Sequence, residues 1–300
     1  MILIFDTHAN VLSHIVKKRL EGNRGIVDEY HVPEQLEGFV TGGIWTYLSE
    51  LQMDLNESVT YILEELEESD NVQLVRSTDD WNEESLNIIL GLQGLALITD
   101  IEHLEHIYGL GFRHASLTKD INELNHFVKE GHGGLTDLGQ ALIKKMNQLG
   151  MIIDLSGLKK SVMAHIFKIT TGPIIASCSN CYALTPDPNN LMDKELRIIA
   201  ETDGFVGVTT TGKLVSKPTV SALVDHIDYL KKLIGVRHIS LGLNFMNYLK
   251  PNSHHLDECN NVRQATTIID ELYERNYSSF EVESIASANA KRVIYKILEN

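Results

Sequence analysis

The segment Phe5-Asp6-Thr7-His8-Ala9-Asn10 ends an apolar run in a His-x-Asn pair. A histidine two residues from a carboxylate at a strand end can hold a divalent metal. With an amide in the second place the charge is lost, and a neutral amide is a poor zinc ligand that cannot balance the ion. Cys178-Ser179-Asn180-Cys181 is the second feature with chemical potential. A Cys-x-x-Cys can act as a redox pair or as half of a zinc site, but no second pair accompanies it, and small buried thiols are the simpler account. Should Cys178 face His8, the two could share one metal ion or act as thiol nucleophile and base. Lys119 is a charged contact for a carboxylate or phosphate, or else a rim lysine in solvent. His254-His255 read as exposed loop residues, Thr209 to Thr211 as hydrogen-bonding groups at a strand end, and Asp154 as a buried carboxylate satisfied by loop backbone.

The elements that would position these groups follow from hydrophobic patterning. Apolar runs at 2–5, 39–48, 88–92, 112–117, 151–155, 173–176, 204–208 and 238–243 read as strands. Amphipathic stretches lie between them, as at 136–149, with Leu138, Ala141, Leu142, Met146 and Leu149 on one face, and at 219–234. Strands apolar on both faces and separated by helices predict a parallel sheet. At this length the expectation is an α/β protein, a (β/α)8 TIM barrel with extra C-terminal helices, in preference to an open doubly wound sheet. No Gly-x-Gly-x-x-Gly opens a helix, which weighs against a Rossmann-like fold. The acidic stretch 64–70 reads as the solvated end of a helix with its loop. Ser278 and Glu281 stand at capping-box spacing before the apolar positions Val282, Ile285, Val293, Ile294 and Ile297, predicting terminal helices packed on the barrel.

The 300 residues, 43% hydrophobic and 22% charged, are read as one domain, 1–300. A formal charge of -15 with scattered Lys and Arg argues against nucleic acid or an anionic membrane as partner. No apolar run approaches the ~18 residues of a membrane span, and three cysteines make no disulfide framework, so the expectation is a cytoplasmic protein with reduced thiols.

The groups at the predicted strand ends are His8, Asn10, Gln93, Lys119, Ser156-Gly157, Cys178, Thr209 to Thr211 and Asn244. With Leu92-Gln93-Gly94, Leu117-Thr118-Lys119, Gly134-Leu135-Thr136, Asn147-Gln148-Leu149-Gly150-Met151, Asp154-Leu155-Ser156, Gly242-Leu243-Asn244-Phe245 and Ala288-Asn289, they resemble the membrane dipeptidase (renal dipeptidase) family of the amidohydrolase superfamily, nearly end to end. That resemblance implies zinc-dependent dipeptide hydrolysis. It further implies two zinc ions held by a His-x-Asp pair, a bridging glutamate and two further histidines, with another aspartate handling the proton. Against this set, His8 is kept, Asn10 replaces the first aspartate, Gln93 the glutamate, Gly157 and Cys178 the histidines, and Asn244 the proton-handling aspartate, which leaves it inactive as an acid. Lys119 and Asn189 fall where the family's substrate-binding histidine and arginine are expected.

Losing metals alone would leave carboxylates facing one another in a desolvated cavity, which is costly, whereas neutral amides of similar shape remove that cost. The expectation is a metal-free cavity with no cofactor, binding a small peptide or amino-acid-like ligand through Lys119, Asn189, Asn10 and Gln93. An unused pocket accounts for the same losses. The alternative is an altered hydrolase with one zinc at His8 and Cys178. The resemblance also implies a homodimer.

Overall fold

The structure, a computed structural model, describes residues 2–48, 54–118, 125–129 and 133–299. Among the described residues nine strands run in chain order: β1 (Ile4–Ala9), β2 (Val40–Leu48), β3 (Val72–Leu74), β4 (Leu86–Gln93), β5 (Phe112–Ser116), β6 (Ile152–Asp154), β7 (Ile174–Ala176), β8 (Phe205–Val208) and β9 (Ile239–Leu241). All pair in parallel in the order β2-β1-β9-β8-β7-β6-β5-β4, and β2 pairs with β4 to close the ring. This is the expected (β/α)8 barrel. The short β3 was not expected from the sequence; it pairs with Leu86 to Ile88 at the start of β4, where β5 has not yet joined.

Every predicted strand is present, with one displacement that matters. The first does not stop at Phe5 but continues to Ala9, and all six of its residues are buried. His8 therefore lies inside a strand rather than just beyond one. The amphipathic stretches form helices Asp137–Leu149 and Val220–Ile234, and Thr136 and Thr219 become N-caps whose hydroxyls accept from Gly139 and Ala222 N–H.

Phe5, Ile44, Ile89, Ile152, Ile175 and Phe205 from the strands share a buried cluster with Ala290, Val293, Ile294 and Ile297. The last four lie on the C-terminal helix Asn289–Leu298, which packs on the barrel as expected. Ser278 and Glu281 form the predicted capping box of the preceding helix, Ser279–Glu283. The acidic stretch differs from its reading. Glu65 is only 1% exposed, pairs with Arg19 at 3.1 Å and accepts from Ile26 N–H at 2.7 Å. It lies on the inner face of helix Leu55–Glu67 with Leu55, Val59, Ile62 and Leu66, so helical period overrides the polarity of the run.

Among the described residues, no helix is long and apolar enough to cross a membrane.

Candidate functional site at the barrel mouth

His8 is fully buried, and both its ring nitrogens are engaged: Nδ1 with Ser177 Oγ at 2.8 Å and Nε2 with Gln93 Oε1 at 3.2 Å. Ser177 Oγ donates to Asp154 Oδ2 at 2.6 Å. Asp154 also accepts from His114 Nε2 at 3.2 Å, from the backbone N–H of Ser156 and Ser177 at 2.9 Å each, and from Ser156 Oγ at 2.8 Å. Burial pushes the Asp154 carboxyl up, but the hydrogen bond and charge of His114, then His8 and Ser177, outweigh it and hold the group well below the usual carboxylate range. An ionised Asp154 can only accept, so the single Ser177 hydroxyl proton points to it. The Ser177 oxygen must then accept from His8 Nδ1–H.

The tautomer of His8 follows. Burial pushes His8 down to about 4, so near neutrality the ring is uncharged, with its proton on Nδ1 and a lone pair on Nε2. Gln93 Oε1 lies 3.2 Å from Nε2, so this tautomer requires the amide to be turned over, with its NH2 toward the Nε2 lone pair.

Beneath this chain, Asp6 Oδ1 accepts from the backbone N–H of His8 at 3.0 Å and of Leu243 at 2.8 Å. Burial raises its carboxyl to about 7 despite these bonds.

A second chain links the other two amides. Thr46 Oγ1 donates to Asn10 Oδ1 at 3.3 Å, Asn10 Nδ2 to Asn244 Oδ1 at 2.7 Å, and Asn244 Nδ2 to Thr211 Oγ1 at 3.2 Å. Each amide uses its oxygen as acceptor and its nitrogen as donor. Asn244 holds a left-handed backbone, φ 55°, which Asn and Asp tolerate better than other side chains. Its N–H donates to the carbonyl of His8 at 2.9 Å, tying the end of β1 to the chain leaving β9.

Above both chains opens a cavity of about 400 Å³ lined by Gln93, Thr211, Lys213, Asn244, Lys250 and His254, with Leu48, Met246, Ser253 and His255. Gln93 and Asn244 thus meet at one cavity, with His8 and Asn10 buried behind them. Asn189 is not among its lining residues. The Asn189 N–H and side-chain Nδ2 both donate to Asp187 Oδ1, at 2.8 and 2.9 Å, and its carbonyl accepts from Ser179 Oγ at 2.7 Å, a loop-forming arrangement. Lys119 lies outside the described residues.

Cys178 and Cys181 are free thiols, and burial raises both above the ordinary thiol range, so neither is an activated thiolate. Cys178 is placed by its N–H donating to Ser156 Oγ at 3.0 Å. Among the described residues, no three His, Cys, Asp or Glu side chains are grouped to hold a metal ion.

The histidine pair divides. His254 is exposed and lines the cavity, but His255 is 8% exposed, contradicting the reading of both as solvent-facing. His255 Nδ1 meets Thr210 Oγ1 at 3.2 Å and Nε2 accepts from Met246 N–H at 3.3 Å, so it ties the chain after β8 to the chain after β9. Thr209 to Thr211 serve strand-end hydrogen bonding as expected; Thr210 Oγ1 donates to Leu243 O at 2.6 Å.

Sequence reasoning missed Ser177, His114 and Thr46. The signal for His114 was present, since a titratable side chain inside a predicted buried strand needs a partner. Ser177 and Thr46 carried none, because small hydroxyl residues near strand ends are ordinary.

The chain matches the family model described as membrane dipeptidase (peptidase family M19) over residues 1–300. It is 31% identical to Dipeptidase aclJ of Aspergillus oryzae over 221 residues, 70% of this chain and 51% of that protein. Dipeptidase 3 of Homo sapiens is 24% identical over 281 residues, 87% of this chain and 57% of that protein. The chain spans about half the length of the curated relatives it matches.

Among solved structures, a metallo peptidase from Rhodobacter sphaeroides, liganded with a phosphinate mimic of the dipeptide L-Ala-D-Ala, superposes with TM-score 0.85 at 17% identity, covering 99% of each chain. The probable dipeptidase PvdM from Pseudomonas aeruginosa superposes with TM-score 0.81 at 17% identity, covering 99% of this chain and 96% of that one. At such identity these two establish the fold alone, and the full-length family match carries the assignment: the chain belongs to the membrane dipeptidase family.

Proposed function

We propose that this protein binds a small peptide or amino-acid-like ligand at the barrel mouth without metal-dependent hydrolysis. The Asn10–Asn244 contact carries this reading. At the two positions where the family resemblance expects carboxylates, the side chains are amides 2.7 Å apart, joined donor to acceptor and continued to Thr46 and Thr211. A metal ligand at 10 and a proton carrier at 244 would each keep a lone pair free for that task; this pair satisfies itself.

The remaining donors do not fit a dinuclear zinc centre. His8 spends Nδ1 on Ser177 and Nε2 on Gln93, Gly157 has no side chain, and the Cys178 thiol is held protonated. The amides, unlike metal-bound carboxylates, keep the mouth neutral and hydrogen-bonding, and the cavity above them is of the size that holds small ligands.

The test uses protein purified without chelator. Metal analysis is expected to find substoichiometric zinc, and a dipeptide panel no chelator-sensitive turnover with or without added zinc. Two tightly held zinc ions per chain, or turnover abolished by chelator and by His8→Ala, would overturn the reading.

A further inference from the structure

We infer that a second cavity, which shares a wall segment with the mouth, binds a small organic cation, an ammonium on a short apolar stem, at Glu34, Phe245 and Tyr248. The inference is independent of what the mouth itself binds.

The chain leaving β9 forms the shared wall. Asn244 and Met246 line the mouth, whereas Phe245, Asn247 and Tyr248 line a separate cavity of about 460 Å³, which Glu34, Val262 and Arg263 help to enclose. Both aromatic rings are held by histidines. The Tyr248 ring packs against His14 and His31, with centroids 5.2 Å apart in each case, and the Phe245 ring against His255 at 5.1 Å. His14 Nδ1 and His31 Nε2 lie 2.9 Å apart, so the two rings that meet Tyr248 are also hydrogen-bonded to each other. The other wall is equally fixed. A Cβ on Gly38, which ends helix Val32–Glu37, would lie 2.1 Å from Val262 O, so the helix carrying Glu34 and the turn Val262–Gln264 carrying Arg263 stand in direct backbone contact. A cavity with both walls fixed is pre-formed for a ligand.

Charge and hydrogen bonding select the ligand. Arg263 is shared between Glu34 at 3.4 Å and Glu37 at 3.2 Å, so two carboxylates meet one guanidinium and one negative charge is left over. The Asn261 side chain is spent on the turn, accepting from Arg263 N–H at 3.1 Å and donating to Asn260 Oδ1 at 2.8 Å. Asn247 donates through Nδ2 to the Asn260 carbonyl, which leaves its buried Oδ1 without a donor among the described residues. The unmet groups here are therefore acceptors. Burial, then the charges of Asp6 and Glu34, push the Tyr248 phenol above its ordinary range, so the ring is uncharged and Glu34 stands near enough for its field to reach it. An ammonium paired with Glu34 would be attracted by the carboxylate and by the quadrupole of the neighbouring ring, while Phe245 and Tyr248 cover its stem. An anion would have to displace Glu34 and Glu37 from Arg263.

Calorimetric titration of the full chain at pH 7.5 with phenethylamine, phenethyl alcohol and phenylacetate tests this, alongside Glu34→Gln and Arg263→Gln. The two side chains are 32% and 49% exposed, so the fold is expected to survive either change. Phenethylamine should bind at least about tenfold tighter than the alcohol, with phenylacetate the weakest of the three. Glu34→Gln should weaken the amine about tenfold and leave the alcohol unchanged. Arg263→Gln should tighten the amine about threefold, because both carboxylates are released from their guanidinium. If Glu34 served only to hold Arg263, that gain would not occur. Bound amine should slow hydrogen exchange at 245–248 and 261–264. No binding of the amine, equal binding of amine and alcohol, or an amine affinity unchanged in Glu34→Gln overturns the inference, as does protection confined to residues 209–214 of the mouth. Each of these outcomes leaves the reading of the mouth standing.

Discussion

Restoring both carboxylates at the mouth, Asn10→Asp with Asn244→Asp, should produce a coupled and pH-dependent loss of stability that neither change produces alone. In Asn244→Asp the new carboxylate still accepts from Asn10 Nδ2, and the Thr211 hydroxyl reverses to become a donor. In Asn10→Asp the Thr46 hydroxyl still donates, and the Asn244 amide turns to offer its NH2. Each single variant should stay within about 1 kcal/mol of the parent. The double variant has no donor between the two groups. Unit charges 2.7 Å apart repel by about 6 kcal/mol at an effective dielectric of 20, the unrelaxed extreme. Asn244 is half-buried, so rotation and water should reduce this to about 3 kcal/mol.

The sign with pH is fixed. The pair keeps one proton between its carboxylates, so the second folded pKa lies above its unfolded value of about 4, by about 2 units for a 3 kcal/mol repulsion. The folded state is then relieved of repulsion below about pH 4, and stability is lost as pH rises through about 6. Urea unfolding of the four proteins at pH 5 and pH 8 gives the coupling energy as a double-mutant cycle. Coupling near 3 kcal/mol at pH 8 that shrinks at pH 5 is expected. Coupling under about 0.5 kcal/mol at both values would refute the contact, and with it the observation on which the functional reading rests.

Three further outcomes follow from the buried network. Ser177→Ala removes the hydroxyl joining His8 Nδ1 to Asp154 and should cost about 2 to 3 kcal/mol in urea unfolding, since two buried groups lose a partner; a cost under about 0.5 kcal/mol would contradict the relay. Gly91→Ala places a Cβ 2.5 Å from His114 Nδ1 and 3.2 Å from Ile44 Cγ2, and should cost about 1 to 3 kcal/mol, with much of it relieved in a His114→Ala background; equal losses in both backgrounds would assign the effect to backbone instead. Burial lowers His8, His14, His226 and His255 to about 4 and His31 to about 3, from 6.5 unfolded, so their neutral forms contribute stability that is present above pH 6.5 and lost as pH falls through 4. Asp6, raised to about 7, opposes this in sign as one group against five. Thermal melts should therefore fall from pH 7 to pH 4.5, and a flat profile would contradict the neutral burial of these histidines.

The barrel was legible because each strand is an apolar run that stays apolar on both faces, as Leu86–Gln93 and Phe205–Val208 are. Val72–Leu74 was not, for it is half-buried and too short to show a period. Of the site, the amides at 10, 93 and 244 were readable, because a substitution within a motif keeps its position. Their partners were not readable. That Asn10 would meet Asn244, 234 residues away, depends on β1 closing beside β9, a tertiary fact no local pattern carries. Asp154 was expected to satisfy itself on loop backbone; it does so through Ser156 and Ser177, and adds the His114 and Ser177 side chains that couple it to His8. Asn189 followed from the family resemblance, yet Asp187, two residues before it, captures both its donors.

The kept barrel fold and the amides at its mouth have one physical origin. In a barrel the apolar cluster of Phe5, Ile44, Ile89, Ile152, Ile175 and Phe205, with the C-terminal helix, supplies stability independently of the groups at the opposite strand ends. Those upper groups can therefore be exchanged if they are exchanged together. A lone amide among metal-bound carboxylates would leave the metal charge less balanced, and a lone carboxylate among amides is tolerable, but two adjacent carboxylates without a metal are not. The mouth accordingly has two stable compositions, charged with cations or neutral with hydrogen bonds, and paired carboxylates without a cation are penalised. His8 fits the second by the same ring it would use in the first: the Asp154–Ser177 pair fixes its proton on Nδ1, and the Nε2 lone pair that could hold a metal instead holds the Gln93 amide in place.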